Sequence, residues 1–168
     1  TWAASKTMTV QNGGLFSVQS GNYLLPSAAT VTVTGANSKA EVVSGELTAN
    51  NGAQVNVQNY GTLQTASSLG LGYIGAGTVT IDGAGSTLTV GSWCYVYGTV
   101  ASTLTLQNGS SGTVTNTVTV ADSGTAGTTG TVNVQSGADL SANILLAGTF
   151  GLAGQSATIN VIGSGSTL

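Results

Sequence analysis

Residues Gly77 to Gly98 read GTVTIDGAGSTLTVGSWCYVYG, and this stretch decides the fold. Val79 and Ile81 alternate with Thr78, Thr80 and Asp82, the period of two that marks a strand with one buried face. A Gly83-Ala84-Gly85-Ser86 corner follows, of the composition that supplies positive-φ positions to tight turns. Leu88 and Val90 then open a second short apolar segment, and Trp93 to Tyr97 form a third before Gly98. Three short strands separated by corners in little more than 20 residues form one coil of a repeat.

The same pattern recurs along the chain. It reads MTVQNGG from Met8, VTVTGAN from Val31, VNVQNYG from Val55, VTIDGAG from Val79, LTLQNGS from Leu104, VNVQSGA from Val132 and INVIGSG from Ile159. The steps between starts are 23, 24, 24, 25, 28 and 27 residues. Self-similarity at such a period is the signature of a solenoid. A hairpin meander would alternate strand types, whereas here one register returns every coil. The sequence therefore predicts an all-β, right-handed parallel β-helix (β-solenoid) of about seven coils of ~24 residues, forming one domain over 1–168. At ~4.8 Å per rung the rod is roughly 30–35 Å long. A second apolar landmark falls about 16 residues after each start (Leu24, Leu47, Leu71, Tyr95, Val120), with Leu146 at a shorter step. A weaker cluster lies between (Phe16, Val42, Leu63, Leu88, Val114, Leu140).

Composition narrows the function classes. Of 168 residues only 7 are charged, with no Arg and no His, against a typical charged share of about 25%. A net charge of −3 without a basic cluster argues against nucleic acid. Without histidine the commonest general base and metal ligand are missing, and Ser/His/Asp or Cys/His arrangements are excluded. No apolar run approaches a membrane span. No basic-then-apolar leader opens the chain, so an export peptide is expected to be removed or to lie outside it. Cys94, the single cysteine, has no internal disulfide partner and reads as an idle thiol.

Two turn types alternate through the first five coils: a Gln-Asn-Gly type (Gln11-Asn12-Gly13, Gln58-Asn59, Gln107-Asn108-Gly109) and a Gly-Ala-x-Ser type (Gly35 to Ser38, Gly83 to Ser86). With the stretch from Gly77 to Gly98, they resemble the repeats of bacterial autotransporter passengers, specifically the type V secretion and PEP-CTERM-associated repeat. The resemblance covers nearly the whole chain and implies an exported, cell-surface β-helix serving as adhesin, stalk or surface layer, hence an extracellular location. The alternation slips at Val132, coils five and six are lengthened by Thr/Gly-rich insertions (Thr125 to Gly130), and no C-terminal barrel is present.

The ends read as open. The chain stops at Ser166-Thr167-Leu168 in mid-coil without a polar cap. GSGSTL read onward into TWAASKTMTV resembles GAGSTLTV of coil four. Thr1, Trp2, Thr167 and Leu168 are therefore candidates for an end-to-end interface. Its partner is either a second copy in a filament or adjoining coils of a longer chain.

Catalysis is not expected, because no two carboxylates share a column on adjacent coils; Asp82 stacks between Gln58 and Gln107 and reads as a solvated turn residue. A calcium site is not expected from one Ile-Asp-Gly turn, and no other metal or cofactor is called for. Two outward columns, Thr7, Thr30, Gln54, Thr78, Thr103, Thr131, Thr158 and Thr9, Thr32, Asn56, Thr80, Thr105, Asn133, Asn160, form a polar ladder. The threonines Thr7, Thr9, Thr30, Thr32, Thr78, Thr80, Thr103 and Thr105 are candidates for binding a glycan or ice, set against the plain suitability of Thr for exposed strands. Alternation puts Trp93, Tyr95 and Tyr97 on one face. Tyr95 falls in the inward series, so a core stack is expected; turned outward, the rings would form a sugar-stacking patch. Trp2 would plug the core or bridge to a neighbour.

Overall fold

The computed structural model describes residues 3–168, and they form a parallel β-solenoid with no helix among them. Coil one contains β1 (Thr7–Gln11), β2 (Leu15–Val18) and β3 (Tyr23–Leu24). Coil two contains β4 (Thr30–Thr34), β5 (Lys39–Val42) and β6 (Leu47–Ala49); coil three, β7 (Ala53–Gln58), β8 (Thr62–Thr65) and β9 (Leu69–Leu71). Coil four follows with β10 (Gly77–Asp82), β11 (Thr87–Val90) and β12 (Trp93–Val96). In coils five and six the second and third segments fuse, giving β13 (Ser102–Gln107) with β14 (Ser111–Val120), then β15 (Thr129–Gln135) with β16 (Asp139–Ala147). β17 (Ser156–Ile162) begins a seventh coil.

The first face is a seven-stranded parallel sheet in the order β1-β4-β7-β10-β13-β15-β17. The second and third faces have six rungs each and join through β14 and β16, whose register shifts between Val114 and Thr117. The stack thus makes six full turns plus a seventh first-face strand. Along the first face the expected columns hold rung for rung, with Thr80 between Asn56 and Thr105 and Ile81 between Val57 and Leu106. Inward Val31, Val55, Val79, Leu104 and Val132 are buried, as are Val33, Val57, Ile81, Leu106 and Val134. β-branched side chains suit this pleated, stacked setting. The second face follows the weaker cluster, pairing Leu63 with Ala40 and Leu88.

The two turn types have a physical division of labour. Asn12-Gly13, Asn59-Tyr60, Asn108-Gly109 and Ser136-Gly137 all have positive φ, the pairing that type I′ turns require. In the Gly-Ala-x-Ser turns, and in the kindred Gly163-Ser164-Gly165-Ser166 turn of coil seven, the third residue (Asn37, Gly85, Gly165) has positive φ, and the serine turns toward the stack. Ser38 Oγ accepts from Gly13 N at 3.1 Å, Ser86 Oγ from Tyr60 N at 3.2 Å, and Ser166 Oγ from Gly137 N at 3.0 Å. Each serine reaches back one coil and satisfies an amide of the preceding turn. Where the alternation slips, at coil five, Gly109 N instead donates to the main-chain oxygen of Ser136. Ser110 Oγ there accepts from Gln107 N of its own coil at 3.0 Å and donates to the main-chain oxygen of Ile81 in coil four at 2.9 Å.

Among the described residues two buried side-chain oxygens have no partner, Asn50 Oδ1 and Thr65 Oγ1. Thr65 stands inward between Val42 and Val90, and its buried hydroxyl has no partner. Such an orphan costs about 1–3 kcal/mol. Thr65→Val, matching both neighbours in shape, is expected to raise stability by about 1 kcal/mol, read as a higher urea midpoint with unchanged slope.

The third face corrects the sequence reading. Cys94 and Val96 point inward and are fully buried, whereas Trp93, Tyr95 and Tyr97 point outward. Tyr95 belongs to the outward column Leu24, Thr48, Gly70, Tyr95, Thr119, Leu146. The 16-residue landmark mixes three adjacent columns, with Leu47 in one, Leu24, Tyr95 and Leu146 in the next, and Leu71 and Val120 in the third, and a slip of one residue reverses the face of every side chain.

Candidate functional site

The eight candidate threonines lie on the first face as two parallel columns, Thr7 and Thr9 exposed and the rest partly so. Neighbours are roughly 4.8 Å apart between rungs and 6.6–6.8 Å apart along a strand. Among the described residues only Thr105 of these eight is tied to another side chain, accepting from Asn133 Nδ2 at 3.3 Å. Farther along the stack amides replace hydroxyls, and Asn160 Nδ2 donates to Asn133 Oδ1 at 2.8 Å.

Beside this ladder runs a third column in which Gln135 donates to Gln107 at 2.9 Å and Gln107 to Asp82 at 3.2 Å. Asn108 adds a second donor to Asp82 at 2.7 Å. The other carboxylates are similarly occupied. Glu46 accepts from Thr48 at 2.9 Å, Asp122 from Thr149 at 2.6 Å and Asp139 from Thr167. Glu41 pairs with Lys39 and Ser17, and these hydrogen bonds hold its carboxyl below the ordinary range. No group of three or more His, Cys, Asp or Glu gathers among the described residues.

The outward aromatic residues form a connected strip. Trp93 and Tyr95 lie with ring centroids 5.9 Å apart and planes 7° from parallel, and Tyr97 meets Tyr95 edge-on at 6.0 Å. Tyr73, from the turn after β9, folds back over the face and completes the cluster at 5.4 Å from Tyr97 and 5.9 Å from Tyr95. Gly70 makes this possible, since a Cβ there would fall 2.7 Å from the Tyr73 ring. Tyr73 escaped the sequence reading; the signal available was a glycine in an outward column beside an aromatic run. Burial, then the Glu46 carboxylate, pushes the phenols of Tyr73 and Tyr95 up, and burial does the same to Tyr97.

Cys94 lies in the core behind this strip, between Leu69 and Val118, its thiol pushed up by burial to about 12. An acid whose folded value is raised stabilises the fold below its ordinary value, 9.0 here, and loses that contribution as pH rises toward the folded value. The tyrosines act in the same direction from 10.0 upward. The unfolding midpoint is expected to stay flat between pH 5 and 8. Above pH 9 it should fall, with Cys94 alone costing about 1.4 kcal/mol per pH unit. Cys94→Ala should soften that alkaline decline, and a midpoint unchanged from pH 8 to 11 would contradict it.

At the ends, Thr167 is bound to the coil before it: its N–H donates to Ala138 O, and its carbonyl accepts from Leu140 N, both at 3.1 Å. Leu168 is exposed, while Thr1 and Trp2 lie outside the described residues. The last rungs leave inward-column side chains open, with Val161 47% and Leu145 40% exposed, whereas Val134 and Val118 one rung earlier are at 0%. Compared with known proteins, the chain matches no family model, no curated protein and no solved structure.

Proposed function

We propose that this chain is a non-enzymatic structural or adhesive rod of the extracellular space or bacterial cell surface, of the autotransporter-passenger kind, whose coil stack continues lengthwise onto further coils. The observation that carries the reading is the last rung, where Val161 and Leu145 extend fully buried columns into solvent. Parallel coils in register, from a second copy or from the same polypeptide, are the surface that covers such columns and pairs the open strand edge. The charge-poor sides suit a rod exposed to varying salt and pH, since little on them titrates. Negative-stain microscopy across a concentration series tests this. Filaments that lengthen with concentration support end-to-end stacking of copies; uniform short rods at every concentration count against it. Val161→Asp should abolish filaments while shifting the monomer's unfolding midpoint only slightly, because the site is already half in water.

A second reading places ligand binding on the threonine ladder, favoured by hydroxyls that, among the described residues and with the exception of Thr105, have no side-chain partner. Thr80→Arg with Thr105→Arg should then abolish thermal hysteresis or glycan binding without unfolding the rod.

A further inference from the structure

The insertion that lengthens coil five builds a wall. After Ala121 the chain leaves the stack, turns through Gly124 and Gly127 at positive φ, and returns at Thr129. Thr129 N donates to Gly98 O at 2.8 Å and Gly98 N to Thr129 O at 3.1 Å, which clamps the loop beside the aromatic strip. The corresponding insertion of coil six props it from behind. Thr149 N and Oγ1 donate to Asp122 Oδ1 at 3.1 and 2.6 Å, and Gly127 N donates to Ala153 O at 2.9 Å. Between loop and rings lies an open cleft of about 350 Å³. Tyr73 and Tyr97 form one side, Thr99 lies at the turn after Gly98, and Ser123, Thr125 and Thr128 line the other.

The Ser123 and Thr128 hydroxyls are bonded to each other and to the loop, and hold it in place. Aromatic rings opposite the Thr99 and Thr125 hydroxyls match the chemistry of a pyranose, whose C–H face stacks on rings while its edge hydroxyls exchange hydrogen bonds. The volume lies within the range of small-ligand clefts, roughly 300–1,000 Å³. Trp93, Tyr95 and Tyr97 follow one another along the strand at about 6 Å, which extends the aromatic surface beyond the cleft over a length of more than one sugar. Charge selects among glycans. The two lysines, Lys6 and Lys39, belong to coils one and two, whereas Glu46 acts on Tyr73 and Asp122 on Tyr97. A uronic acid or sulfated chain would meet carboxylates without a cation.

We propose that the cleft and the Trp93–Tyr95–Tyr97 strip bind an uncharged polysaccharide of flat, β-linked pyranoses. The site is on a different face from the threonine ladder and does not depend on how the rod is continued.

The test uses the full chain carrying Trp2→Phe, so that Trp93 is the sole tryptophan, titrated with cellohexaose and, separately, with polygalacturonate. Expected are a saturable change in Trp93 emission with cellohexaose and none with polygalacturonate. Tyr97→Ala should weaken cellohexaose binding about tenfold or more, at an unchanged unfolding midpoint. Thr125→Phe, on the exposed loop, fills the cleft without touching the core or adding a second tryptophan, and should abolish binding even if Tyr97→Ala disturbs folding. Thr80→Arg, on the first face, should leave binding intact; its loss there would move the site to the threonine ladder. No cellohexaose binding, binding that survives Thr125→Phe, or preference for polygalacturonate would overturn the proposal, and none of these outcomes bears on filament formation.

Discussion

Leu106→Asp is expected to abolish the cooperative unfolding transition of the whole rod. Leu106 stands in the middle of the first-face inward column, between Ile81 and Val134, at 0% exposure. Its side chain also fills the space over Gly112 of the second face, where an added Cβ would meet it at 2.7 Å. An aspartate there loses the leucine's burial, leaves a void and puts a carboxyl among hydrocarbon. Leucine truncation in a core costs about 2–5 kcal/mol, and burying the unpaired polar group adds several more. Against a typical domain stability of 5–15 kcal/mol, that removes most or all of the fold's margin. Leu106→Met, which nearly conserves volume, should cost less than about 1.5 kcal/mol. Thermal melts followed by far-UV circular dichroism separate these outcomes; a cooperative Leu106→Asp melt near the parent's would mean the column is not continuous.

Gly130→Ala is the second large effect, and its cause is geometric. Gly130 lies near the start of β15, in the corner column Gly77, Ser102, Gly130, Ala157, where the third face hands the chain to the first. A Cβ at Gly130 would lie 2.0 Å from the carbonyl oxygen of Val96 and 3.0 Å from the amide nitrogen of Ala121. Both atoms are backbone, and Ala121 N donates to that same Val96 oxygen at 3.0 Å, so neither yields cheaply. The backbone of Gly130 is not in the left-handed region, so the penalty comes from space alone. A loss of about 3 kcal/mol or more is expected in urea unfolding, at the upper end of overpacking effects. Gly124→Ala is the matched comparison. Its φ is +65° and its Cβ would meet nothing, so it should cost only about 1 kcal/mol through backbone strain. Equal losses at the two sites would remove the steric explanation.

The first face was legible in the sequence because its strands are five to seven residues long and carry two or three alternations each, enough to fix phase. The candidate threonine columns follow from that phase. On the third face β3, β6, β9 and β12 have only two to four residues, and the turns leading to them vary in length. Counting from the coil start therefore placed Tyr95 one column away from its true position. Val96, not Tyr95, continues the inward series through Ala49, Leu71 and Val120. The cleft was harder still to anticipate. It depends on the coil-five loop returning to Gly98, a contact between segments some 30 residues apart that no local pattern encodes.

The backward-reaching serines also set the increment in which this rod can grow or shrink. A Gly-Ala-x-Ser coil supplies an acceptor that the coil before it uses, so coils one and two, three and four, and six and seven behave as dimers of coils. Excising coils three and four together would bring an Asn-Gly turn onto a Gly-Ala-x-Ser turn and keep an acceptor for each of these amides. Excising coil four alone would set the coil-three turn against that of coil five, the succession found between coils five and six, and would move the Tyr60 amide from the Ser86 hydroxyl to a main-chain oxygen. Changes of length in steps of two keep every serine acceptor, whereas coil five shows that a main-chain oxygen takes over where two like turns follow one another.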